Sequence, residues 1–156
     1  MSYFLNNVNQ NNDFILATRM KYFVDKTGLI CKLNEKVGVL DRFVCITRPR
    51  RFGKSVNAAM FASYYAKNLD TKDVFDKLNV HECDSYEEHL NKHNVVYMSL
   101  NAGGGKFETY KDYRDYFESR LTKDLRDLYP DMDSIFTVSE MFDYAYRKTG
   151  ERFIFI

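Results

Sequence analysis

Thr47-Arg48-Pro49-Arg50-Arg51-Phe52-Gly53-Lys54-Ser55 joins two segments of different period. Before it, Arg42 to Thr47 (Arg-Phe-Val-Cys-Ile-Thr) is short, largely apolar and β-branched, the pattern of a buried strand. After it, Lys54 to about Lys67 places Val56, Ala59, Met60 and Tyr64 on one face of a helix. A turn from strand to helix can aim several backbone N–H groups, and the positive end of the helix, at one anion. Gly53 lets the backbone approach a phosphate chain closely. The Lys54 ammonium would reach the β- and γ-phosphates of a nucleoside triphosphate, and the Ser55 hydroxyl would ligate Mg²⁺.

Gly-Lys-Ser alone is a weak signal, and the full G-x-x-x-x-G-K-S pattern fails because Arg48 stands where its first glycine would be. That glycine eases tight entry into the loop, and an arginine with positive φ is strained. The strand before and the helix after supply the context the motif requires. Arg48, Arg50 and Arg51 read as further phosphate contacts or as a basic turn paired with carboxylates from elsewhere. A nucleic-acid patch is the weaker reading, since no second basic cluster with interleaved aromatics extends it.

The remaining sequence bounds the setting. The 156 residues carry 23 Lys+Arg against 22 Asp+Glu, so no global field draws the chain to nucleic acid or to an anionic membrane. With 45% hydrophobic residues the chain can fill a core, and its composition excludes disordered, collagen-like and disulfide-scaffold classes. No apolar run approaches the length of a membrane helix, and no signal-peptide pattern opens the chain. Three cysteines, Cys31, Cys45 and Cys83, read as reduced thiols, and the expected location is cytoplasmic.

Residues 1–12 read as a flexible polar leader. Asp25 is the expected N-cap of a helix running to Lys36, with Leu29, Ile30 and Leu33 on one face and Gly38 just beyond it. Residues 71–79 and 85–92 read as short helices. Val95 to Leu100 is a second apolar strand, followed by a glycine connection at 103–105. Gly103-Gly104-Gly105-Lys106 is only superficially a phosphate loop, because Phe107 stands where the Mg²⁺-binding hydroxyl belongs. Tyr110, Tyr113, Phe117, Leu121, Leu125 and Leu128 recur at helical spacing until Pro130. Thr137 and Glu140 predict a capping box for a last helix that Gly150 closes, and Phe153 to Ile156 begin a third apolar strand. Apolar strands alternating with helices imply an α/β fold with a mainly parallel sheet. His81, Cys83, His89 and His93 match no established zinc spacing and read as solvated side chains.

Two strings together, Tyr22-Phe23-Val24-Asp25-Lys26-Thr27-Gly28-Leu29-Ile30 and Cys45-Ile46-Thr47-Arg48-Pro49-Arg50-Arg51-Phe52-Gly53-Lys54-Ser55, resemble the AAA-ATPase-like family. Arg48 fits that family's form of the loop, and Val95 to Leu100 matches a later strand. The resemblance spans residues 13–156 and implies a three-layer P-loop NTPase-type fold. It implies Mg²⁺ with ATP as cofactor and ligand, and phosphates cradled by Arg50, Arg51, Phe52, Gly53, Lys54, Ser55 and Val56. Lys54 would act as the catalytic cation and Ser55 as the metal-binding residue. It also places Asp25, Lys26 and Thr27 near the nucleotide, although Asp25 reads equally as an N-cap. A nuclease-like domain often follows in the family. Phe153 to Ile156 would be the apolar half of a Walker B strand. The sequence therefore reads as the N-terminal portion of an ATPase domain, truncated at that strand, with hydrolysis expected only in the intact protein. The alternatives are a nucleotide-binding regulatory module without turnover, and a nucleic-acid-binding element centred on the arginine loop.

Overall fold

The computed structural model of the chain describes residues 2–7, 9–100, 107–133 and 135–156. The fold is α/β, and the chain divides into two compact units. The glycine connection at 103–105 lies outside the described residues.

One unit joins residues 2–7 to residues 94–155. Strands β1 (Asn94–Val96) and β2 (Phe153–Phe155) pair in parallel, with Val95 opposite Ile154. Leu5 adds an antiparallel bridge to Val96, extended by a bond from the Tyr97 N–H to the Phe4 carbonyl. The second strand is therefore shorter than the expected Val95–Leu100, while the apolar end at Phe153 forms a strand as its pattern predicts. Helix α6 (Tyr110–Leu128) carries Phe117, Leu121 and Leu125 into a core shared with Phe4, Val96 and Met141. It ends before Pro130, which cannot continue the hydrogen-bond ladder. Helix α7 (Val138–Thr149) opens with the predicted Thr137–Glu140 capping box and closes on Gly150 at φ 72°. In that left-handed conformation the Gly150 N–H returns to the Tyr146 carbonyl.

Phe4 and Leu5, within the segment read as a leader, are core residues, and their placement has an electrostatic cause. The Asp124 carboxylate on α6, 3% exposed, accepts hydrogen bonds from the N–H groups of Tyr3, Phe4 and Leu5 at 2.6–3.0 Å. The buried charge and the otherwise orphaned donors satisfy one another.

The other unit holds residues 9–93. Its helices are α1 (Asn9–Thr18), α2 (Gly28–Asn34), α3 (Lys54–Tyr65), α4 (Lys72–Phe75) and α5 (Tyr86–His89), with a 3₁₀ turn at Asn79–Glu82. The polar run expected to belong to the leader thus enters α1, which packs on α3 through Phe14 and Ala17. Phe14 stacks on Phe75 and Tyr64 meets Phe75 edge-on, at centroid distances of 5.2 and 5.4 Å. Asn34 links Tyr64, Tyr65 and Ser85 at the base of this cluster, so its amide is buried with partners on both sides.

Three expectations fail in this unit. Arg42 to Thr47 is not a buried strand: it forms no ladder with any described residue, and Phe43 is 86% exposed. A strand depends on a partner for its N–H and C=O groups, so without one its apolar side chains also face solvent. Val56 points outward, whereas Ala59, Met60 and Tyr64 are buried as predicted. Cys31 and Cys83 are not free thiols but a disulfide, with Cα atoms 5.9 Å apart, and only Cys45 is free and exposed among the described cysteines.

Replacing Asp124 by alanine strands two buried N–H groups and is expected to cost ~3 kcal/mol. Amide hydrogen exchange at Phe4 and Leu5 should accelerate in Asp124→Ala far more than in Asp124→Asn, which keeps one acceptor oxygen.

Candidate functional site

The loop before α3 is held by two lysines that donate to its carbonyls. Lys54 Nζ lies 2.6 Å from the Arg48 carbonyl oxygen and 3.0 Å from that of Pro49. Lys26 Nζ lies 3.3 Å from the Phe52 carbonyl oxygen. With carbonyls turned towards the ammonium groups, the loop curls over the first turn of the helix. Gly53 is the residue preceding α3 and sits at φ 78°, a conformation that costs a side-chain-bearing residue about 1–2 kcal/mol.

The strain anticipated at Arg48 falls elsewhere. Among the described residues the positive-φ positions that are not glycine are Asn6, Arg51 and Asn91, so Arg48 enters the loop without left-handed backbone. Arg51, at φ 68°, takes the sharp bend instead. Arginine is therefore compatible with the position where the general pattern has glycine.

The first turn of α3 is open to a ligand. No side chain caps it, and among the described residues the backbone N–H groups of Lys54, Ser55 and Val56 find no acceptor. The Ser55 hydroxyl is exposed and likewise without a partner there. Arg48, Arg50, Arg51, Lys54 and Lys26 form no salt bridge with any described carboxylate, so the basic turn paired with acids from elsewhere is not what this structure contains. Several cations and three free donors around one helix end constitute an anion-attracting surface.

Asp25 was expected to cap α2 directly; the residue at the cap is Thr27, and Asp25 lies three residues before the helix start at Gly28. Oδ1 accepts from the N–H and hydroxyl of Thr27, both at 2.7 Å, and Oδ2 accepts from the Asn79 N–H at 2.7 Å. Burial pushes the Asp25 carboxyl up, but these hydrogen bonds outweigh it and hold its pKa below the ordinary carboxylate value. Thr27 is fully buried and accepts in turn from the Val80 N–H. The two residues thus flank Lys26 with a fixed backbone. Beside this element lies a cleft of about 490 Å³, lined by Asp25, Leu29, Ile46, Phe52, Asn57 and Asn79 among others. No pattern in the sequence announces it, because its walls come from three distant segments.

Among the described residues no group of three or more His, Cys, Asp or Glu side chains is arranged to hold a metal, and Cys83 is committed to Cys31. His89 ends α5 and His93 lies beyond it, yet His89 Nδ1 and His93 Nε2 are 3.0 Å apart in a hydrogen bond. Burial lowers the pKa of both rings; His93 is lowered further by the neighbouring His89, and Glu88 pulls both the other way.

The profile of one family, described as predicted AAA-ATPases, matches residues 12–156. No curated protein and no solved structure matches the chain. By fold and site the protein is an α/β protein with a basic loop before an uncapped helix. It belongs to the AAA-ATPase-like family.

Two measurements check this geometry. Gly53→Ala forces a side chain into left-handed backbone with its Cβ 3.5 Å from Lys26 Nζ, and should lower stability by ~1 kcal/mol in denaturant unfolding. Because His89 and His93 have lowered pKa values when folded, the unfolded chain binds more protons below the ordinary value of 6.5. Their contribution is complete above that pH and is lost as pH falls, by at most about 1.4 kcal/mol per pH unit for each ring. Unfolding midpoints measured between pH 7 and 5 should show that slope, and replacing both histidines by glutamine should flatten it.

Proposed function

We propose that the chain binds ATP with Mg²⁺ through the loop Arg48–Ser55, as the nucleotide-binding part of an ATPase with a P-loop NTPase-type fold. The observation that carries this reading is the set of unclaimed donors at the start of α3, with Lys54 turned back into the loop beside them. A triphosphate offers the acceptors that Lys54, Ser55 and Val56 lack, and Arg50 and Arg51 supply positive charge at the rim. Lys54 exchanges its carbonyl partners for phosphate oxygens, a stronger charge-assisted contact.

The magnesium ion fits the residues present. Ser55 provides an exposed hydroxyl with no competing partner among the described residues, adjacent to the donors that hold the phosphates. Bound there, the ion neutralises phosphate charge. The cleft bounded by Leu29, Ile46 and Phe52 has a volume suited to a small-molecule ligand and accommodates the nucleoside. Family membership adds support, since the family's description is that of a predicted ATPase. Among the described residues no helix is long and apolar enough to cross a membrane.

Isothermal titration of the chain with Mg·ATP decides the matter. Wild type should bind, and Lys54→Ala should weaken binding by at least about tenfold, the loss of one charge-assisted contact. Equal affinity in the two proteins overturns the assignment. Steeply salt-dependent DNA binding with no response to ATP would assign the arginine loop to nucleic acid instead.

A further inference from the structure

We propose that Lys26 is a positioning residue of the phosphate site: its ammonium fixes the Phe52–Gly53 peptide so that the Gly53 N–H faces the bound phosphates. This deepens the nucleotide-binding reading and rests on it. A peptide group is planar, with its C=O and N–H pointing in opposite directions. A cation on the Phe52 carbonyl oxygen therefore orients the Gly53 N–H to the other side of the loop and polarises it as a donor. In the nucleotide-free chain Lys54 does the same three residues earlier, where its contact to the Pro49 carbonyl sets the Arg50 N–H on the opposite side of that peptide.

The surroundings show that Lys26 is placed by more than chance. Its neighbours are both immobilised: Asp25 by three hydrogen bonds, one of them from Asn79, and Thr27 by complete burial and the Val80 N–H. The lysine stem leaves this braced backbone and its ammonium reaches a carbonyl 26 residues further along the chain. Lys26 forms no salt bridge with any described carboxylate, including that of Asp25 beside it in sequence. A Cβ at Gly53 would sit 3.5 Å from the ammonium, an ordinary contact, so glycine is favoured there by its φ of 78° rather than by the lysine.

A positioning role differs from general stabilisation in what restores it. Arginine keeps a cation and several donors within reach of the carbonyl, whereas methionine keeps only the stem. The test compares wild type, Lys26→Met and Lys26→Arg by titration with Mg·ATP and by the NMR resonances of the Phe52 carbonyl carbon and Gly53 amide nitrogen in the nucleotide-free chain. Lys26→Met should bind Mg·ATP ~10-fold more weakly, with Lys26→Arg recovering most of the loss. Both resonances should move in Lys26→Met and return towards wild type in Lys26→Arg, with the thermal unfolding midpoint little changed. Unaltered affinity in Lys26→Met, or an arginine variant no better than the methionine one, overturns the proposal while leaving the nucleotide site intact. If wild type itself binds no Mg·ATP, the functional reading fails, and the resonances alone decide: an unmoved Phe52 carbonyl carbon in Lys26→Met refutes the positioning role.

Discussion

The carboxylate of Asp25 is where the loop-bearing unit is tied together. It accepts from Thr27 on its own side and from Asn79 at the start of the 3₁₀ turn, closing a contact across more than fifty residues of chain. Each bond takes a donor that helix geometry or a turn would otherwise leave unmet, and the charge survives because donors surround it. Thr27 then disappears into the interior and α2 begins. What remains exposed between these two anchors is Lys26, whose reach to Phe52 makes the start of α2 and the loop before α3 parts of one arrangement.

The loop itself shows how a departure from a general pattern can be absorbed. Its left-handed bends fall at Arg51 and Gly53, so the entry position tolerates Arg48. The curl is enforced by side chains as much as by backbone: two ammonium groups collect three carbonyls, and of those three peptides the ones after Pro49 and Phe52 carry an N–H on the opposite side, whereas the one before Pro49 has none. Positive charge concentrated in this way, with no described carboxylate answering it, leaves an electrostatic demand that a polyanion meets.

What was legible in the sequence was mostly local. The 3.6-residue period of α6, the Thr137–Glu140 capping box, Gly150 as a left-handed helix end and the onset of α3 at Lys54 all depend on neighbours a few positions apart, and all are found. Phe153 to Phe155 also forms a strand, paired in parallel with Asn94 to Val96. Arg42 to Thr47 shows the limit of such reading: its composition favours a strand, but strand formation is a property of a pair. The Asp124 clasp on Tyr3, Phe4 and Leu5 and the Asp25–Asn79 bond join residues 54 to 121 positions apart, for which periodicity carries no signal. The same is true of the Cys31–Cys83 pairing, since an odd number of cysteines gave no reason to expect a bridge.

That bridge has a topological effect on the loop it spans. Cys31 and Cys83 are 52 positions apart, and residues 48–55 all lie between them, so the basic loop belongs to a macrocycle. Closing a ring of that length restrains the unfolded chain by about 4 kcal/mol on an entropic account. A protease cutting the exposed stretch from Arg42 to Phe52 would linearise the ring without releasing a fragment, and the severed ends would stay leashed within reach of one another.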